Sequence, residues 1–156
     1  MPRVPVTVRR PAAATPEATF DAIVPIDLTT MMTGWGPFPA VVGTRDQQGP
    51  WDRAGSRRVV LLSDRSGTPE EIVAVERPGS FSYVVGPLSG PFGLIVARIE
   101  GRFAFDHAPG GGTDVTWTYT FVARRGRGLL MRAVAPLWRR YAQASLDRAV
   151  AVADAS

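Results

Sequence analysis

The chain has 156 residues, enough for one domain with a substantial core, and its 45% hydrophobic and 21% charged residues exclude general disorder. It has no cysteine, which removes disulfides, thiolate catalysis and cysteine-based zinc sites, and with a single histidine no histidine-rich metal site can form. The net charge is +4 and all 18 basic residues are arginine. Acids are interspersed through most of the chain and no nucleic-acid motif occurs, so the clusters Arg57-Arg58, Arg124-Arg125-Arg127 and Arg139-Arg140 read as solvated faces, and nucleic acid is not an expected partner.

The N-terminus lacks an apolar leader core and no uncharged apolar run nears the length of a membrane span, which predicts a cytoplasmic protein without a transmembrane segment. Residues 3–10 alternate, with Val4, Val6 and Val8 set against Arg3, Thr7 and Arg9, the period of a half-buried strand. Pro5 suits an edge position. Thr15, Pro16 and Glu17 supply an N-cap, a first-position proline and a first-turn acid, predicting a helix over 16–24. Pro25 ends it or bends it into a second helical piece over 27–32.

Residues 33–39 break all regularity with glycine and proline, yet keep Trp35 and Phe38. Strand-like runs follow at 40–47, 56–63, 70–77 and 81–86, separated by Gly/Pro-bearing turns, as in a meander of antiparallel hairpins. Residues 86–93 form a second Gly/Pro loop carrying Leu88 and Phe92. The two longest strands come next, over 94–105 and 114–123, joined by a turn with Gly110, Gly111 and Gly112. In the first, Ile95, Ile99, Phe103 and Phe105 oppose Arg98, Glu100 and Arg102; in the second, Val115, Trp117, Tyr119 and Phe121 oppose three threonines. From 128 to 152 the period becomes helical, with Leu130, Val134, Leu137, Tyr141, Ala144 and Val152 on one stripe that is expected to cover the sheet. Pro136 predicts a bend over 133–136. No internal repeat occurs, so residues 1–156 read as one domain.

The order of one strand, two short helices, six antiparallel strands and a long C-terminal helix resembles the helix-grip fold of the START-like (SRPBCC) superfamily, which holds polyketide cyclases/dehydrases and lipid-transport proteins. The local wording is similar too, above all the strand entry Gly111-Gly112-Thr113-Asp114-Val115-Thr116-Trp117. The resemblance implies an α+β fold in which a seven-stranded curved antiparallel sheet wraps around the C-terminal helix, with an internal cavity for a small hydrophobic ligand. Its motifs are structural and mark no chemistry, so a carrier and a cyclase or dehydratase both remain open. A homodimer is also left open.

Candidates to line such a cavity are Trp35, Phe38 and Phe92 at its mouth, Tyr83, Ile99, Phe103, Trp117, Tyr119 and Phe121 on strands, and Val134, Leu137, Trp138 and Tyr141 on the helix. By alternation alone they would equally fill a solid core; the resemblance favours the cavity. Tyr83, Tyr119 and Tyr141 are polar handles for a ligand oxygen. His107 reads as an exposed turn residue. Glu70 and Glu71 are adjacent on a strand and point to opposite faces, so one of them can face inward, and Asp27 lies near the entrance helix. No paired carboxylates, metal site or cofactor motif appears, and the glycine-rich pieces around 111 and 126 lack the helix and lysine of a phosphate loop.

Overall fold

A computed structural model describes residues Met1–Ser156. β1 (Arg3–Ala12) is followed by α1 (Pro16–Ile23) and α2 (Leu28–Met31). A meander comes next: β2 (Val41–Gln48), β3 (Arg57–Leu62), β4 (Gly67–Glu76), β5 (Ser80–Val85), β6 (Val96–His107) and β7 (Thr113–Ala123). A short helix, α3 (Gly90–Gly93), interrupts the loop before β6, and α4 (Gly128–Ala155) closes the chain. The seven strands form one antiparallel sheet in the order β1-β7-β6-β5-β4-β3-β2. Neighbouring strands are neighbours in sequence throughout, except that β1 closes onto β7. This is the α+β helix-grip architecture. No helix is long and apolar enough to cross a membrane.

Local chemistry explains the starts of α1 and α2. The Thr15 hydroxyl accepts from Ala18 N–H at 3.2 Å at the start of α1, and the Asp27 carboxylate accepts from Thr29 N–H at 3.0 Å at the start of α2. Val4, Val6 and Val8 face the core, as their alternation predicts, and β1 is an edge strand that tolerates Pro5. Its free edge is covered by α4, where Arg139 donates to the carbonyl of Thr7 at 2.7 Å and Gln143 to that of Arg9 at 3.0 Å. Arg139 therefore caps a strand edge and is more than part of a solvated face.

The helix is continuous through Pro136, which stands on the exposed side, where the carbonyl it leaves without a donor can meet water. Its buried face is rotated from the expected stripe: Met131, Trp138, Tyr141, Ala142, Ser145, Leu146, Ala149, Val150 and Ala153 are buried, whereas Leu130, Leu137 and Val152 are 40–46% exposed. Leu146 and Val150 share this buried face with Ala142, Ser145, Ala149 and Ala153, small residues spaced 3 and 4 apart, where the C-terminal half of α4 meets β1 and α1, the helix's main contacts.

A close approach also explains one glycine in the sheet. Gly101 on β6 pairs with Tyr83 on β5, and the phenol ring lies across the space a β-carbon at 101 would occupy. Gly101→Ala is expected to lower stability by about 1–3 kcal/mol through overpacking. In chemical denaturation most of that cost should vanish in a Tyr83→Ala background; an equal cost in both backgrounds would assign it to the backbone.

Candidate functional site

The inner face of the sheet is mostly apolar, with Arg58, Thr68 and Glu70 as buried polar members on β3 and β4, but α4 covers only the β1 side. Over β3 to β6 this leaves a cavity of about 450 Å³, closed on the far side by α2, α3 and the loop over 33–39. Sixteen of its 25 lining residues are hydrophobic. Val60, Val85, Ile99 and Tyr119 form the floor, and Val134, Leu137, Trp138 and Tyr141 form the helical wall. Phe38 and Phe92, one from each Gly/Pro loop, meet edge to face with centroids 6.5 Å apart. The two loops therefore border the same cavity.

Phe38 is held in place from behind. Its ring packs edge-on against Trp138 at 5.1 Å and stacks on Tyr141 at 6.0 Å. The Tyr141 hydroxyl accepts from Gly34 N–H at 3.1 Å and donates to the carbonyl of Pro39 at 3.0 Å, so it ties the loop to α4 rather than offering a free handle. Leu137, 40% exposed, borders the cavity where it opens.

The other candidates divide by depth. Tyr83, Phe103 and Trp117 line a smaller void of about 30 Å³ behind the main cavity, and Tyr119 borders both spaces. Trp117 stacks on Phe103 at 5.0 Å and donates its indole N–H to the Tyr83 hydroxyl at 2.9 Å. Burial raises the pKa of all three tyrosines, Tyr83 most strongly, so they remain protonated at neutral pH. Two candidates line neither space. Phe121 is fully buried between Phe92 and Trp138, because its position on β7 lies under the helix. Trp35 closes a tight turn through two backbone hydrogen bonds with Phe38, and its ring borders a separate open depression. His107 is exposed at the end of β6.

The most informative pair comes from strand register. In the β3–β4 hairpin Arg58 stands directly opposite Glu70, and Arg57 opposite Glu71. Alternation sends the first pair inward and the second outward, so the adjacent arginines serve different faces. Both Arg58 bonds, from Nε at 3.0 Å and Nη2 at 2.8 Å, land on Glu70 Oε1, and each side chain is only 8% exposed. Trp51, from the β2–β3 connection, lies over the guanidinium at 3.8 Å. Glu70 borders the main cavity and the smaller void, and Arg58 the smaller void. Burial pushes the Glu70 carboxyl above the ordinary range, an effect that Arg58 opposes without cancelling. Neither Arg58 nor Trp51 was expected at the site. The available signal was the hairpin register, together with a large aromatic in an otherwise polar turn. On the outer face of β3 to β5 a second groove is lined by Arg57, Glu71, Asp46 and Gln48 together with Val59, Pro69 and Val84.

A family model described as polyketide cyclase / dehydrase and lipid transport matches residues 3–154. The chain belongs to this family. Among solved structures, the cyclase/dehydrase and lipid-transport chain is similar to the di-domain ARO/CYC StfQ from the steffimycin biosynthetic pathway, at TM-score 0.72 and 12% identity over 98% of this chain and 51% of that one. It is likewise similar to the di-domain ARO/CYC BexL from the BE-7585A biosynthetic pathway, at TM-score 0.67 and 18% identity over 99% of this chain and 51% of that one. It thus spans about half the length of each di-domain protein. Ara h 8.0201 superposes at TM-score 0.63 and 12% identity, over 96% of this chain and 99% of that one. These likenesses show a shared fold. No curated protein sequence matches the chain.

The buried pair gives a testable signature. Arg58→Met leaves Glu70 buried without a countercharge and should cost about 3–5 kcal/mol near neutral pH. Because the carboxyl pKa is then raised further above its unfolded value, stability is retained below about pH 4.5 and lost as pH rises through the native value. Adding Glu70→Gln should flatten that dependence in urea titrations run across pH. A single substitution whose cost does not change with pH would show that Glu70 finds another partner.

Proposed function

We propose that the protein binds and carries a small, mostly apolar molecule that bears an oxygen function at one end. The observation that supports this reading is the polarity gradient of the 450 Å³ cavity: its walls are aliphatic and aromatic, while Tyr119 and Glu70 sit together on its inner side. Such a space suits a ring system or acyl chain inserted through the side of Phe38, Phe92 and Leu137. A buried neutral phenol donates a hydrogen bond to a carbonyl or hydroxyl oxygen, and the carboxyl of Glu70 accepts one from a ligand hydroxyl through Oε2, the oxygen that Arg58 leaves free.

A second reading, a cyclase or dehydratase, is favoured by the same polar end. Glu70 Oε2 can take a proton from a carbon next to a ligand carbonyl while Tyr119 hydrogen-bonds the carbonyl oxygen. The electron pair left on that carbon then attacks a second carbonyl carbon of the same chain, or expels a β-hydroxyl that leaves as water with the returned proton. Holding a flexible chain folded supplies much of the rate, on the order of 7–11 kcal/mol at best. The site holds no activated nucleophile for hydrolysis of an unactivated bond.

Native mass spectrometry of the purified protein, followed by titration with an environment-sensitive apolar dye, tests the carrier reading. Ile99→Trp and Val134→Phe, which fill the cavity from opposite walls, should each weaken dye binding tenfold or more, about 1.4 kcal/mol, and His107→Ala should leave it unchanged. Undiminished binding in both filled variants would move the ligand elsewhere. A co-purifying molecule that loses water or a ring bond's worth of flexibility on incubation, with the change abolished by Glu70→Gln while binding persists, would select the enzyme.

A further inference from the structure

Every leucine that is exposed lies in one corner of the molecule. Leu94 is 70% exposed just after α3, Leu129 80% and Leu130 46% on the first turn of α4, and Leu137 40% two turns on. The corner is one piece of structure: Arg124, between β7 and α4, donates to the carbonyl of Gly93 at 2.7 Å, and its backbone N–H donates to that of Ile95 at 2.8 Å. α3 and, from Val134 onward, α4 also line the same cavity.

The charges of this corner are as uneven as its apolar groups. Between Asp114 and Asp147 there is no acidic residue, and none between Glu76 and Glu100. Arg124, Arg125, Arg127, Arg132 and Arg140 are exposed on this stretch without an ion pair, and Arg139 beyond them is held on the Thr7 carbonyl. Of the twelve other arginines eight meet a carboxylate, while Arg9, Arg65, Arg102 and Arg148 do not. The exposed leucines are concentrated in this corner rather than scattered, and a second copy docked here would set its arginines against themselves.

We infer that this corner docks on an anionic phospholipid bilayer, with Leu94, Leu129 and Leu130 entering the acyl boundary and the surrounding arginines meeting phosphates. Isolated aliphatic tips within a basic rim suit the bilayer interface, whereas protein hot spots favour tryptophan, tyrosine and arginine over leucine. Docked in this way, the cavity opening lies beside the membrane surface. The inference does not depend on what the cavity holds, because none of these three leucines lines it.

Vesicle flotation with phosphatidylglycerol/phosphatidylcholine and with phosphatidylcholine alone tests it. The full chain should float with the anionic vesicles at low salt and be released as salt rises. Arg125→Glu/Arg127→Glu/Arg132→Glu should lower partitioning by about 100-fold or more. Leu94→Ser/Leu129→Ser should lower it about tenfold even at low salt, while Arg45→Glu/Arg53→Glu changes it little. Since the chain has no cysteine, Leu129→Cys carrying a polarity-sensitive dye should shift to the blue on anionic vesicles, and Val73→Cys should not. Unchanged partitioning in the leucine variant, or a blue shift at both labels, would overturn insertion by this corner. So would concentration-dependent dimerisation abolished by Leu129→Ser, which assigns the face to a second copy, and so would capture of a soluble acidic protein without vesicle binding. Apolar-dye binding in the cavity, measured on the same variants, should stay at the wild-type level, so that loss of docking and loss of cavity binding read out separately.

Discussion

A single sheet with an apolar inner face must be covered, and here one helix does the covering from one side. The small residues Ala142, Ser145, Ala149 and Ala153 bring the C-terminal half of α4 down onto β1 and α1, while the bulk of Trp138 and Tyr141 occupies the N-terminal half. Leu146 and Val150 complete that contact, which falls on β1 and α1 and leaves the sheet covered at one end and open at the other. The space over β3 to β6 follows from that geometry, and the loops carrying Phe38 and Phe92 are left to wall it.

The same opening explains why an ion pair persists where apolar residues would pack. A buried arginine and glutamate contribute little net stability, because desolvation offsets most of their attraction. Arg58 is nonetheless shielded by Trp51 and held by Glu70, and Glu70 reaches the cavity with one oxygen uncommitted to the guanidinium. Next to protonated phenols this arrangement presents a donor and an acceptor to anything that enters, which suits orientation of a ligand oxygen as well as proton transfer. Binding and catalysis would therefore use the same few atoms, and the chemistry of the ligand decides between them.

Period-two signals were legible wherever one strand face is buried, as in Val4, Val6 and Val8 or Val115, Trp117 and Phe121. The cap of α1, the edge position of Pro5 and the meander of hairpins were legible for the same reason: each depends on residues close in sequence. What escaped depends on pairing between distant segments. Alternation places Glu70 on one face or the other, but only the β3–β4 register sets Arg58 opposite it, and only the folded β2–β3 connection lays Trp51 over the guanidinium. Phe121 and Trp35 alternate or cluster like cavity residues; helix placement buries the first and a local turn diverts the second.

The misjudged phase of α4 has a physical meaning of its own. An amphipathic stripe records which residues avoid water, without recording what they meet instead. Along the C-terminal half of the helix that partner is the sheet and α1, reached through Leu146 and Val150 and through small residues that score weakly as hydrophobic. Along the N-terminal half, Met131 and Trp138 face the sheet, whereas Leu130, Val134 and Leu137 form a second apolar face that turns toward the cavity opening and solvent. Two apolar faces on one helix segment are more than a core requires. The surplus is concentrated in the part of α4 with unpaired arginines and no acid, so the helix carries one face for folding and another for whatever lies outside the opening.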